Sequence, residues 1–363
     1  MGSAAAWQLV CRGYSTIGFD QFAPFHNNGS SHGKTRVIRK AYFENPKYVT
    51  LLNRAYELWY ELQSSTNEPI LDLCGGLYVG PTDCDLIRGT LEAAAIHGLD
   101  CQDLSQSELQ ERYPFLNVRS DEIGLIEKDA GMVFAENSVA AMNYLASVLG
   151  ATLVREKVIH LDLLAKPKLI VTSHRTVKAE RVILTQGPWM ASIFEELGLK
   201  VKITRQTVGW FTGKDLKYFQ RGEFPVYAIE RNGLFIYGIP SGDSEDLLGV
   251  KVACHNLGPM IGPDSPHLPV SVREEIELKN LAALAFPAAN LSLNYSLACK
   301  YSNSPDGHFL IDLHPWDPDV VLAGGFSGHG FKFAPVIGEV LVNLAFDGKS
   351  QHTVDFLSLK RFA

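Results

Sequence analysis

Gly324-Gly325-Phe326-Ser327-Gly328-His329-Gly330-Phe331-Lys332 lies between an apolar run, Val320 to Ala323, and a helical pattern that continues to about Phe346. Glycines there let a ligand approach the main chain, and free N–H groups at a helix start suit an anion or a developing negative charge. A plain strand-to-helix turn needs fewer glycines. Lys332, in the expected first helical turn, either pairs with a carboxylate or stands in solvent. Arg36 and Arg39 lie three apart with His32 just upstream. On a shared helix or turn face two such guanidiniums can grip a carboxylate, the alternative being a basic surface patch. Lys251 and His255 alternate with apolar neighbours, so on a strand both point to one face. A lysine half-buried in that way is costly unless it is paired or functional. Tyr237 sits in a similar strand. His308 and His314 have no partner at metal-ligand spacing and read as structural. GxSxG, HExxH and CxxC are all missing, so no nucleophile–base motif and no metal site is indicated.

The elements that must position these residues can be outlined. Small residues from Gly2 form a helix closing at Gly13, followed by a strand from Ser15 to Phe19 that ends on Asp20. A glycine opening such a helix, then an acid about 20 residues on, matches the back half of a dinucleotide-binding βαβ unit. An ordinary helix–strand pair would look the same. A polar, Gly-rich stretch follows, then a helix from about Pro46 to Gln63, strands at Leu71–Leu73 and Gly76–Val79, and a helix around Asp85–His97. Ser105 and Glu108 make a capping box, and a further helix spans roughly Ser138–Leu149. Short alternating runs fill 152–185 and end in Gly187-Pro188-Trp189; residues 201–300 are mostly strand-like. The elements near the two ends look like one α/β nucleotide domain with the strand-rich middle inserted into it.

Composition narrows the function classes. The chain has 363 residues, 46% hydrophobic and 20% charged, with 33 Lys+Arg against 40 Asp+Glu and a net charge of −7. That excludes disorder for most of the length and offers no electrostatic case for nucleic acid or an anionic membrane. No apolar run approaches the ~18 residues of a membrane span; Leu281 to Ala289 is broken by Pro287. No signal-peptide layout is visible. The six cysteines, at 11, 74, 84, 101, 254 and 299, show no zinc spacing, which suits reduced thiols in a cytoplasmic protein.

Three longer segments together resemble one family. Gly29-Ser30-Ser31-His32-Gly33-Lys34-Thr35-Arg36-Val37-Ile38-Arg39 is similar to a segment of the monomeric sarcosine oxidase and N-methyltryptophan oxidase family. Ala298-Cys299-Lys300-Tyr301, with Ser304-Pro305-Asp306 and Phe309-Leu310-Ile311-Asp312, resembles its flavin-attachment region, and Gly325 to Lys332 its C-terminal flavin motif. They occur in family order along essentially the whole chain. The resemblance implies a mixed α/β fold: a Rossmann-like FAD-binding domain (1–70, 132–200, 306–363) with an inserted antiparallel-sheet catalytic domain (71–131, 201–305). It implies a flavoprotein amine oxidase that demethylates an N-methyl amino acid to amino acid, formaldehyde and hydrogen peroxide. A cyclic or sugar-modified amino acid is the alternative substrate, and a non-catalytic member the alternative function.

By the same resemblance Cys299 would carry the flavin covalently. His32 and Arg36 would lie beside its ring, and Lys251 would activate O2. Arg39 and Lys332 would grip the substrate carboxylate. His255, Tyr237 and Tyr301 would line the substrate pocket. Gly2, Asp20, Ser30, Thr35, Val158, Gly328, Gly330 and Phe331 would hold the rest of the cofactor. The implied partners are a secondary amine and O2, and the implied state is a monomer. Two departures stand out. Lys40 replaces a histidine of several relatives. The first strand and first two glycines of the FAD fingerprint are missing, about ten residues given strands of ~5–6, as expected if Met1 were assigned too late.

Overall fold

The computed structural model describes residues 1–255 and 258–362. Its first helix, Gly2–Cys11, buries Ala4, Ala5, Ala6 and Trp7. Small side chains matter because the helix Ala334–Asp347 crosses directly over it: a Cβ at Gly338 would lie 2.7 Å from the Ala4 main chain. That second helix is buried along almost its whole length. With Tyr48–Thr66, whose Leu51, Leu52, Ala55, Leu58 and Leu62 are fully or almost fully buried, it forms the core of the nucleotide-binding side.

Parallel strands flank this core in two separate pieces. Ile17–Asp20 pairs in parallel with Thr152–Arg155. Val182–Leu184 pairs in parallel with Asp317–Gly324, which is also antiparallel to Leu310–His314. Among the described residues no strand joins the two pieces. The first helix packs on both, against Ile17–Asp20 and against Val182–Leu184. A slot therefore separates the two parallel edges. An antiparallel meander, Val158–Asp162, Lys168–Thr172 and Thr176–Ala179, hangs beside it.

The rest of the molecule is built on one eight-stranded sheet. Its order is Leu291–Asn303, Lys202–Gly213, Val250–Cys254, Leu234–Ile239, Val226–Arg231, Gly76–Pro81, Glu122–Glu127, Cys101–Leu104. All neighbours are antiparallel, as the resemblance implies, except Val226–Arg231 with Gly76–Pro81, which run parallel. These two strands are far apart in sequence, so no hairpin forces them to oppose. Strand alternation gives the sheet two faces. Val250, Val252 and Cys254 belong to the apolar cluster that also takes Leu278, Leu281, Ala282 and Ala285 from the helix Val272–Ala285. That helix interrupts a region expected to be strand-like, and its start is a second capping box, Ser271 with Glu274. A further small sheet, Thr35–Ile38, Gly131–Phe134 and Leu71–Asp72, sits between the two regions. No helix among the described residues is long and apolar enough to cross a membrane.

Candidate active site

One cavity of about 1580 Å³ runs from the slot to the face of the large sheet, and every candidate residue named from the sequence lies on its wall. Ligand sites are commonly ~300–1,000 Å³, so the space suits a ligand larger than one amino acid.

At the slot end are Gly2, Asp20 and Val158. Gly2 begins its helix so close to the neighbouring strand that a Cβ would stand 3.0 Å from Thr185 Oγ1. Asp20 Oδ1 accepts from the Phe22 N–H at 2.9 Å while the carboxylate stays exposed.

The sheet end follows from strand register. Trp210 is opposite Lys251, and Val208 is opposite both Ala253 and Leu297. Ala253 is opposite Tyr237, and Tyr237 is opposite Ala228. Cross-strand partners share a face, so Leu297, Cys299 and Tyr301 join Lys251, His255 and Tyr237 on the cavity side. Lys251, expected half-buried, is 5% exposed. Its Nζ donates to the Gly33 and Thr35 carbonyls at 2.9 and 3.0 Å and lies 4.8 Å over the Trp210 ring. Burial, and then Arg36, push its pKa well down. The Cys299 thiol is raised by burial, with Arg36 and Lys251 acting against the rise. Tyr237 and Tyr301 share a hydroxyl–hydroxyl bond of 3.0 Å, and burial lifts Tyr237 to about 12.

Facing the sheet is the Gly-rich loop. Ser30 Oγ donates to the Lys300 carbonyl, and Thr35 begins the strand Thr35–Ile38. His32 Nε2 donates to the Ala298 carbonyl at 2.9 Å, and burial lowers its pKa to about 4. Its Nδ1 is then a buried acceptor with no partner, which calls for a donor from a ligand or water. Arg36 and Arg39 do not share a helix face as expected. Arg36 is on the strand and donates to the carbonyls of Ser30, His32 and Thr35, bracing the loop. Arg39 lies just beyond that strand and is buried, its guanidinium 2.6 Å from Glu44 and between the rings of Tyr42 and Phe43 at 4.4 and 4.6 Å. Strand alternation over an odd spacing accounts for the difference.

Lys332 is buried rather than solvated. It precedes the long helix in a 3-10 turn, Phe331–Phe333, and its Nζ donates to the His329 carbonyl at 2.8 Å. Burial and Arg39 lower its pKa to about 7, against the pull of Glu44. Glu44 itself is held at about 2: burial opposes its charge, but Arg39, His329 and Lys332 outweigh that. His255, buried beside these cations, falls to about 4. Gly328, at φ 78, presses on Tyr301, whose ring a Cβ would meet at 2.2 Å; at Gly330 a Cβ would meet Phe326 at 2.6 Å. Sequence reasoning missed Glu44, Trp210 and the Phe43 ring. Only Glu44, an acid five residues after Arg39, left a readable signal. Lys40 pairs with Asp129 at 2.7 Å, away from this wall.

The cavity thus joins a nucleotide-sized arm to a sheet face that holds the Cys299 thiol and the buried Lys251, with Arg36, Arg39 and Lys332 on the segments that face it. Those residues fit a flavin dinucleotide: an acid and a helix start at one end, Arg36 and an orphaned His32 nitrogen at the other. The FAD dependent oxidoreductase family matches residues 1–344.

The chain belongs to that family.

Monomeric sarcosine oxidase of Streptomyces avermitilis is 38% identical over 367 residues, covering 100% of this chain and 95% of that protein. N-methyl-L-tryptophan oxidase of Salmonella dublin is 32% identical over 371 residues, covering 100% and 96%. The fold is shared with NikD, an amino acid oxidase essential for nikkomycin biosynthesis, at TM-score 0.84 and 21% identity over 98% of this chain and 94% of that one. Within the family the chain is a flavin-dependent amine oxidase that uses FAD. Among its described residues no cluster of His, Cys, Asp and Glu is placed to hold a metal.

Proposed function

We propose that the protein is an FAD-dependent oxidase of N-methyl amino acids, releasing the demethylated amino acid, formaldehyde and hydrogen peroxide. The observation that carries this is the pairing of two cations, Arg39 and Lys332, with a buried Lys251 and a thiol at Cys299 on one cavity wall. A bound flavin would supply the two-electron oxidation. Cys299 would hold it covalently, with His32 and Arg36 beside the ring, Ser30, Thr35, Gly328, Gly330 and Phe331 around it, and Gly2, Asp20 and Val158 at the adenosine end.

The chain's own residues would do the positioning. Arg39 and Lys332 bind the substrate carboxylate and so orient the N-methyl group; Glu44 balances Arg39 when no carboxylate is bound. Tyr237, Tyr301 and His255 close the pocket around the amine. His255 and His32, with pKa values near 4, remain neutral at physiological pH and add no repulsion to a protonated amine. Lys251, whose Nζ donates to two carbonyls, would stand where a hydrogen-bond donor can stabilise negative charge developing on O2. A secondary amine and O2 are then the two partners of a monomer, and its unpaired thiols suit the cytoplasm.

A peroxide-coupled screen of sarcosine, N-methyltryptophan, pipecolate and fructosyl amino acids tests the substrate class. Turnover of an N-methyl amino acid is expected; turnover of only the cyclic or sugar-modified amines replaces this function with the alternative. Flavin that survives acid precipitation in the wild type and is lost in Cys299→Ala is expected. Acid-stable flavin in Cys299→Ala would remove the covalent assignment.

A further inference from the structure

The substrate end of the cavity is closed by a contact that the function above does not use. Phe43, between the strand Thr35–Ile38 and the helix Tyr48–Thr66, stacks on Phe235 of the large sheet with ring centroids 5.2 Å apart and an interplanar angle of 29°. Phe235 meets His255 edge-on at 5.9 Å, and His255 meets Tyr301 at 5.3 Å. An aromatic wall therefore runs from the Gly-rich side of the cavity to the flavin-attachment strand. The Phe43 ring also carries the Arg39 guanidinium, 4.6 Å from its centroid. The Phe43 main chain cannot retreat from the cavity. Gly89 presses on it from behind so closely that a Cβ there would lie 2.3 Å from the Phe43 carbonyl oxygen. Phe43 and Phe235 are both half-buried and both line the cavity.

We infer that Phe43, stacked on Phe235, sets the size limit of the substrate site and disfavours a bulky α-substituent. The inference rests on the cavity being an N-methyl amino acid site. With the carboxylate on Arg39 and Lys332, and the N-methyl group turned toward the side of Cys299 and Lys251, the remaining group on the α-carbon faces the aromatic wall. A bulky group enters only if two favourably stacked rings part, and the packing at Gly89 blocks the simplest movement. The wall and the carboxylate anchor share one ring, so size and charge are read by adjoining surfaces.

The flavin-loaded wild type, Phe43→Ala, Phe43→Leu and Phe235→Ala test this with two readouts. The first is the ratio of kcat/KM for sarcosine over N-methyl-L-phenylalanine. The second is the ratio of calorimetric Kd values for two unreactive acids, 3-phenylpropanoate over methoxyacetate. Wild type is expected to prefer the small member of each pair. Phe43→Ala and Phe235→Ala should each cut both preferences by about tenfold or more, and Phe43→Leu, which keeps most of the bulk, by much less. Loss of the ring under Arg39 weakens both acids alike, so the ratio isolates size. Phe235→Ala opens the wall from the sheet and carries the test if Phe43→Ala does not fold. Ratios unchanged within about twofold, or a wild type that prefers the larger member, overturn the inference. If no N-methyl amino acid is oxidised, the proposed function fails while the acid ratio still decides the size limit.

Discussion

The two halves of this molecule treat their strands differently. In the eight-stranded sheet each inner strand is hydrogen-bonded on both sides, and one face is packed by the helix Val272–Ala285. Arg231 and Glu122, both almost wholly buried, are joined by two hydrogen bonds of 2.8 and 2.6 Å. On the nucleotide side the parallel strands form two short pieces, with an unpaired edge of Ile17–Asp20 and another of Val182–Leu184 on the wall of one cavity. A paired sheet offers a rigid wall on which side chains can be aimed. Unpaired edges offer main-chain groups that must be satisfied by something that enters. The cavity draws on both: Tyr237, Lys251, Cys299 and Tyr301 stand on the closed sheet, and its long arm runs into the open half.

The most severe test of that contrast is the buried ion pair. Glu122→Gln leaves Arg231 charged and uncompensated, with an expected loss of about 3–5 kcal/mol in denaturant unfolding. The double variant Glu122→Leu with Arg231→Met should recover most of it. A loss below about 1 kcal/mol would mean that the large sheet is less closed than its bonding indicates. Hydrogen exchange compares the halves directly. Without FAD, amides of Ile17–Asp20 and Val182–Leu184 should exchange at least about 100-fold faster than those of Val226–Arg231, a gap of about 2.8 kcal/mol. FAD should narrow it. Equal protection would break the comparison.

A smaller effect lies where the halves meet. Lys332 carries its charge only below about pH 7, so a proton lost above that pH removes one of two cations facing a bound carboxylate. Methoxyacetate affinity should fall as pH rises through 7, by up to about tenfold per unit, and Lys332→Met should flatten the profile near its high-pH level. A steep profile that persists in Lys332→Met would assign the titration to another group. Smallest is the cap of the helix beneath the large sheet. Ser271→Ala removes the bond to the Glu274 N–H and should cost about 1 kcal/mol with no change in FAD content.

Much of the cavity wall was legible in the sequence. Gly325 to Lys332 and the Gly-rich loop around His32 and Arg36 are contiguous, and local glycine chemistry marks them. Alternation placed Lys251 and His255 on one face because a strand has period 2 whatever it packs against. The small residues of Gly2–Cys11 read as a helix, but its close crossing with the helix that carries Gly338 was not legible. Arg36 and Arg39 were misplaced because spacing alone does not say whether a segment is helix or strand. Missed altogether was the stacking of Phe43 on Phe235, residues 192 apart in the chain, which no local pattern announces.

Local order therefore marked which residues line the cavity: turns rich in glycine, alternating strands, small-residue helices, and a cysteine within a recognisable segment. Tertiary structure alone decided their partners. It set Glu44 against Arg39, Trp210 under Lys251 and an aromatic wall across the pocket. It also decided the charge states, because burial among particular neighbours holds Lys332 near 7 and Glu44 near 2. Dielectric surroundings and cross-strand register arise from contacts between distant segments, so neither is written in the spacing of residues along the chain.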